Sequence, residues 1–510
     1  MSAIDKKRRE AIALHRNGKV RSAIGLYTEI IQSNPRDSET LYCLGVANKD
    51  IGDFPSSAKF LMAAAIVEPN KPLFHNELGV VLAMLKFTKE ALESFDRALD
   101  LNKSYKEALS NRANILKGMA RWSEALDAYD KAIAIDSVFL DAIYNRAVTL
   151  QEMMRLEEAL AGYRRVLSLK RDHAKSLVNA SIAKLTRGDF DAGFRDFEWR
   201  WDQKSFGLQK RSFSKPLWLG KEPLAGKTIL LYWEQGLGDT IQFARYASLV
   251  AGLGARVILE VQRSLMTLLA DLSGVAHLIE DGSEPPVPFD YVCPLMSLPL
   301  AFQTSLRNIP AGVPYIKSDS AKSDEWKKRL GQRRRPRIGL VWSGGFRPNQ
   351  PESWAANGRR NIPLECLAPL ADADVEFYSL QKGQKAEEEL RELVNKGWSG
   401  PAIIDFTSSL NDFSDTAALV DNLDLVVSVD TSTAHLAGAM GKPVWILNRF
   451  DTCWRWLLDR ADSPWYPTVK LYRQKSAGDW LAVVSDVTRD LASYGGAAET
   501  HREMRLAAAG

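Results

Sequence analysis

Cysteine is scarce and scattered in this chain. Its 510 residues include only Cys43, Cys293, Cys366 and Cys453, with no C-x-x-C pair. That spacing argues against a disulfide framework or a zinc site. No apolar run approaches the roughly 18 residues that a membrane-spanning helix needs. The first ten residues, MSAIDKKRRE, carry charge but no apolar stretch, unlike a secretory signal. The net charge of +4 is small for this length and gives no reason to expect nucleic acid or a membrane surface as a partner. Histidine is also rare, at six. What remains is globular material long enough for several domains, expected in a reducing cytoplasm.

Against these absences stands a strong periodicity. Small residues recur every 34 positions at Ala11, Gly45, Gly79, Ala113, Ala147 and Ser181. A second small series, Ala23, Ser57, Ala91, Ala125, Ala159 and Gly193, keeps the same step, and so does a bulky one, Tyr27, Leu61, Phe95, Tyr129, Tyr163 and Phe197. This is the pattern of stacked helix–turn–helix units, with small residues where helices touch and a large one filling the gap to the next repeat. It resembles the tetratricopeptide repeat, in about six copies over residues 1–205, with an aromatic last copy read as a cap that docks onto the next domain. Asn111, Asn145 and Asn179 keep the step on the first helix of each repeat. Their amides can bond both main-chain groups of a bound peptide, or serve only the solenoid itself. The array favours a protein partner.

After a Pro-, Gly- and Lys-containing linker, 206–226, the pattern becomes alternating strands and helices. Strands are expected at Thr228–Trp233 and Ala255–Val261, with a helix from Thr240 to about Ala251. A second set is expected at Arg337–Trp342, Val375–Leu380, Ala402–Phe406, Leu425–Val429 and Val444–Leu447. This gives two Rossmann-like lobes, 227–330 and 331–475, and a C-terminal helix and tail, 476–510. Such lobes leave a cleft at the carboxyl ends of their strands.

Several motifs fall at those ends. In LDLVVSVDTSTAHLAGAMGKPVWIL (423–447), a strand stops at Asp430 and a small-residue helix begins after Thr431, Ser432 and Thr433, through Ala434 and His435. Free N–H groups and the helix dipole there suit a phosphate. Asp430 can receive a sugar hydroxyl or orient the loop. Ser343 and Gly344 open a loop, 343–361, that Arg360 closes, and a guanidinium can bind a diphosphate bidentately. In the first lobe, Glu234, Gln235, Gly236, Gly238 and Asp239 form a strand-to-helix turn. It lacks the third glycine of a dinucleotide fingerprint and carries carboxylates where a pyrophosphate would sit. The glycines leave room for an acceptor hydroxyl. Asp239 is either a general base or a helix cap. Asp372-Ala373-Asp374 has the D-x-D form of a metal site, but its place in a turn is sufficient reason for both aspartates.

The stretches EQGLGDTIQFARY (234–246) and DTSTAHLAGAMGK (430–442), in this order and spacing, resemble glycosyltransferase family nine, which includes the lipopolysaccharide heptosyltransferases. The resemblance covers about residues 227–474. With the repeats ahead, the whole chain is similar to a group of bacterial fusion proteins. It implies a GT-B fold, a nucleotide-sugar donor in the second lobe, and inverting transfer with no cofactor or essential metal. It also implies that Asp239 is the base on the acceptor and that residues 430–435 cradle the donor. The heptosyltransferases have Gly where this chain has Ser432, and a Lys where it has Arg360. The resemblance and the repeats together point to a glycosyltransferase acting on a protein held by the repeats, such as flagellin or another surface protein. A non-catalytic repeat adaptor and a transferase for lipid-linked glycan are the alternatives.

Overall fold

A computed structural model describes residues 3–202, 211–345 and 354–507. Two compact units emerge from packing, Met1–Ser176 and Leu177–Gly510.

In the first unit the helices pair as Ala3–Arg16 with Val20–Ser33, Ser38–Asp50 with Phe54–Val67, Pro72–Met84 with Thr88–Leu101, Lys106–Gly118 with Trp122–Ile135, and Leu140–Glu152 with Leu156–Leu169. The 34-residue series explain the pairing. A Cβ on Gly45 would lie 2.6 Å from Leu61 Cγ, and one on Gly79 would lie 2.7 Å from Phe95 Cε1. The bulky residue therefore presses on the small residue of its own pair, closer than the inter-repeat gap expected for it. Tyr129 and Tyr163 are fully buried, and each hydroxyl donates inside the array, to Asn114 Oδ1 and Gln151 Oε1. A further 34-residue series becomes visible only in the backbone. Gly18, Gly52, Lys86, Ala120, Met154 and Gly188 all turn with positive φ between the helices of a pair.

The sixth pair, Ala174–Thr186 and Phe190–Phe197, was expected inside a solenoid reaching residue 205. Packing instead divides the chain at Ser176, and residues 203–205 lie outside the described residues. The reason is aromatic. Phe190, Phe194 and Phe197 join the core of the second unit, with Phe190 and Phe194 edge-on to Trp454 at 6.2 and 5.6 Å. The linker expected at 206–226 lies outside the described residues up to 210. From Leu217 onward it is bound to the first lobe: the Trp218 N–H donates to Val292 O, and the Trp218 indole is buried.

The second unit holds two parallel sheets. In the first, β1 (Thr228–Tyr232), β2 (Arg256–Val261), β3 (Val275–Glu280) and β4 (Tyr291–Pro294) take the order β3-β2-β1-β4. In the second, β5 (Arg337–Val341), β6 (Glu376–Ser379), β7 (Ile403–Asp405), β8 (Leu425–Val429), β9 (Val444–Asn448) and β10 (Val469–Arg473) take the order β10-β9-β8-β5-β6-β7. Every residue of β5, β8 and β9 is buried, as befits parallel strands covered on both faces. Two such sheets with flanking helices make the GT-B type of fold. The helix expected from Thr240 to Ala251 is two helices, Leu237–Phe243 and Tyr246–Gly252. At the junction Arg245 turns inward and donates to Trp465 O at 2.7 Å and Pro310 O at 3.0 Å. The expected loop 343–361 contains the helix Trp354–Arg360, and its residues 346–353 lie outside the described residues. The C-terminal helix, Trp480–Ala507, seals the second sheet with Val483, Val484, Val487 and Leu491; residues 508–510 of the expected tail lie outside the described residues. No helix among the described residues is long and apolar enough to cross a membrane.

Candidate active site

The order of strand addition reverses between the parallel neighbours β1 and β4 in the first sheet and β5 and β8 in the second, and ligands gather at the carboxyl ends of such neighbours. A cavity of about 740 Å³ lies there. The turn after β1 supplies Gln235, Gly236, Gly238 and Asp239. The end of β5 supplies Ser343 and Gly344, and the end of β8 supplies Asp430, Thr431, Ser432, Thr433 and His435. Arg360 joins them from its own helix.

Asp239 is the third residue of its helix rather than the cap. Its Oδ2 accepts from Gly236 N–H at 2.8 Å, closing the helix start, while Oδ1 faces the guanidinium of Arg455. Arg455 is buried, donates also to Gln242 Oε1 at 2.5 Å, and lies over the Trp454 ring at 4.4 Å. Burial alone would weaken this cation, but Asp239 beside it outweighs that and holds its pKa above the ordinary value. The two oxygens of Asp239 therefore have separate partners, Oδ2 the helix start and Oδ1 Arg455.

The opposite wall is the helix Ser432–Ala439, capped by Thr431, whose Oγ1 accepts from Ala434 N–H. Its first-turn N–H groups face the cavity end. Arg360 crosses to this point and donates to Asp430 O at 2.9 Å and Asn357 Oδ1 at 2.8 Å. Its guanidinium lies flat against Gly344, where a Cβ would be 2.1 Å from Nη2. That contact accounts for the glycine after β5. The Ser343 backbone is held by Gln381, whose Oε1 accepts its N–H at 2.8 Å.

His435 stacks on Trp456 and its Nδ1 is 2.9 Å from Tyr466 Oη; Nε2 is 3.8 Å from Asp430 Oδ1. Burial pushes the imidazole pKa down to about 4 against the pull of Asp430, so the ring is neutral near pH 7. A carboxylate beside Nε2 favours the tautomer with the proton on that nitrogen and the Tyr466 hydroxyl donating to Nδ1. Burial works against the Asp430 carboxylate too, but His435, Arg360, Arg455 and Arg449 outweigh it and lower its pKa.

Two expected site residues sit elsewhere. Glu234 turns away from the cavity into a buried pair with Arg200, at 2.9 and 3.0 Å, because an apolar interior leaves a carboxylate nowhere else to go. Ala434 is buried behind the first turn and does not line the cavity. Asp374 is exposed and paired with Arg335, away from the site. Among the described residues no group of three or more His, Cys, Asp or Glu converges as a metal cluster. Sequence reasoning missed Arg455 as a site residue; its only local signal is an arginine between two tryptophans.

In the first unit, Asn111 and Asn145 line one smaller cavity of about 290 Å³ with Asn76, and Asn111 Nδ2 donates to Asn76 Oδ1 at 3.0 Å. Asn179 belongs to the second unit and does not line it.

Residues 374–447, from the start of β6 to β9, match the model of glycosyltransferase family 9 (heptosyltransferase). Together with the helix-pair array ahead of it, this match supports the resemblance to a tetratricopeptide-repeat and glycosyltransferase family 9 fusion. That match supports a glycosyltransferase-like role. A curated relative, Protein FlbA of Caulobacter vibrioides (strain ATCC 19089 / CIP 103742 / CB 15), is 25% identical over 489 residues, covering 90% of this chain and 74% of its own. Among solved structures, MamA is 24% identical over 34% of this chain and 98% of its own, with a TM-score of 0.30. The type IV pilus biogenesis factor PilW is 16% identical over 40% of this chain and 96% of its own, with a TM-score of 0.38.

Proposed function

We propose that the second unit transfers a sugar from a nucleotide-sugar donor, with inversion and without an essential metal, to a protein acceptor recruited by the repeats. The observation that carries this reading is one cavity with a carboxylate on one wall, Asp239, and an anion cradle on the other, the helix start at Ser432 with Arg360. Asp239 takes the proton of the acceptor hydroxyl as its oxygen attacks the anomeric carbon from the face opposite the leaving group. Such a base is typically worth about 10²–10⁴-fold. The bond from that carbon to the diphosphate breaks, and the first-turn N–H groups, the Arg360 guanidinium and the Nε2–H of His435 receive the developing charge. Arg455 meets the other oxygen of Asp239 and fixes where the carboxylate points. The amides of Asn76, Asn111 and Asn145 line the groove offered to the protein partner, of which flagellin or another surface protein is the class expected.

The test is a thermal-shift screen of the full chain against UDP, GDP, CDP, ADP and their sugar conjugates. A true donor raises the midpoint according to RT ln(1 + [L]/Kd). Asp239→Asn keeps that shift and loses turnover. A chain that responds to none of these nucleotides is the adaptor of the alternative reading.

A further inference from the structure

The smaller cavity, in the first unit, carries charge of one sign. Its lining among the described residues includes Glu77, Glu107 and Asp141 and no Lys, Arg or His. Glu77 is already paired with Lys49 at 2.6 Å. Glu107 has Lys106 at 3.9 Å, but that ammonium is committed to Asp136 at 2.6 Å. Asp141 is exposed, and its carboxylate has no ion pair or hydrogen bond among the described residues. The negative charge is felt at Tyr105 on the same wall. Burial first, then the charges of Glu77 and Glu107, push its hydroxyl pKa up to about 12.

Glu107 and Asp141 stand in the first turns of Lys106–Gly118 and Leu140–Glu152, where a helix dipole by itself favours an acid. A second observation points to an occupant. One turn along from Glu107, Ser110 is only 4% exposed and lines the cavity. A helical serine commonly returns its proton to a carbonyl one turn back, as Ser94 does to Glu90 O at 2.8 Å. The Ser110 hydroxyl makes no hydrogen bond among the described residues, and it is not sealed from water as that of Ser57 is. A nearly buried hydroxyl left open on a cavity calls for a partner from whatever fills it. On the next repeat the Asn145 side-chain amide lines the same cavity, also with no hydrogen bond among the described residues. An amide can serve both the N–H and the C=O of a main chain. Tyr105 and Phe139 add apolar surface along which the methylene stem of a long side chain can lie.

We infer that this groove reads a Lys or Arg side chain on an extended segment of the partner, with the cation between Glu107 and Asp141 and the flanking peptide groups on Ser110 and Asn145. This rests on the reading of the groove as a partner site and adds a charge requirement to it. It holds whether the bound protein is an acceptor or, under the adaptor alternative, a partner alone.

The test uses the full chain and three acetylated, amidated peptides, identical except for a central Lys, norleucine or Glu. Their affinities are read by ligand-observed NMR titration. The Lys peptide is expected to bind about five- to ten-fold more tightly than the norleucine peptide, the yield of two charge pairs at a part-exposed site, and the Glu peptide more weakly than either. Salt at about 0.5 M should remove most of that advantage. The double variant Glu107→Gln, Asp141→Asn should remove it at low salt, with a circular-dichroism melt to show that the array stays folded. Ser110→Ala should weaken all three peptides alike, by about two- to five-fold. Equal binding of the three peptides overturns the charge requirement and leaves the groove as a partner site. A Lys advantage that survives high salt, or neutralisation of both acids in a folded variant, overturns it as well. If no peptide binds up to about 10 mM, the groove reading falls and the inference with it. The nucleotide thermal shift reports the second unit and is a separate readout.

Discussion

Lowering the pH should cost this protein stability through His435. Burial holds the folded imidazole near pKa 4, against an ordinary value of 6.5. The folded state therefore binds fewer protons at this ring than the unfolded chain between about pH 6.5 and 4. The contribution of the neutral ring is fully present above about pH 6.5 and is lost as pH falls toward about 4. Integrating the linkage between pH 7.5 and 5 gives about 2 kcal/mol from this residue. The assay is urea unfolding followed by tryptophan fluorescence. Trp122 is the one tryptophan before Ser176, so the signal reports the second unit. His435→Gln provides the control, since every other titrating group is shared. The wild type should lose about 2 kcal/mol more than the variant across that interval. Equal losses would refute the claim that His435 is held neutral by its surroundings.

Three further outcomes are expected. Gly344→Ala puts a methyl where the Arg360 guanidinium lies, so nucleotide-induced stabilisation should shrink while the ligand-free midpoint changes little; an undiminished nucleotide shift would remove Arg360 from the cradle. Ala120→Gly relieves a left-handed residue at φ +57° and should stabilise the first unit by about 0.5 kcal/mol in circular-dichroism melts, the relief of strain exceeding the added freedom of the unfolded chain; a lower midpoint would contradict it. Arg200→Met strands Glu234 in the interior and should cost about 3–5 kcal/mol, part of which Glu234→Gln restores in the double variant; a single variant as stable as the wild type would show the pair to be dispensable.

The repeat was legible because each series is set by helix contacts that recur every 34 residues, and Gly79 beside Phe95 is the physical form of that regularity. The strands β5, β8 and β9 were legible because strands buried on both faces are mostly apolar, with Arg337, Ser428 and Asn448 their only polar members. The breaks in the repeat backbone at Lys86, Ala120 and Met154 were not, since nothing in those side chains announces a positive φ. Neither was the partner of Asp239. Arg455 lies 216 residues away, and no local spacing encodes a contact between two lobes. Glu234 misled for a related reason. A carboxylate at a strand end reads as facing the cleft, and only the fold brings Arg200 behind it. The helix junction at Arg245 is similar, because an arginine looks like a surface residue until Trp465 and Pro310 present their carbonyls to it.

Gly238 sits where the two lobes touch. A Cβ there would be 2.9 Å from His435 Cδ2 and 3.3 Å from Ser432 Cα. The separation between Asp239 and the helix start at Ser432 is consequently gauged by bare main chain, one residue from Asp239. In the proposed transfer, that separation sets how far the attacking hydroxyl stands from the departing diphosphate. Any larger residue at position 238 would push His435 and Ser432 away and lengthen that reach.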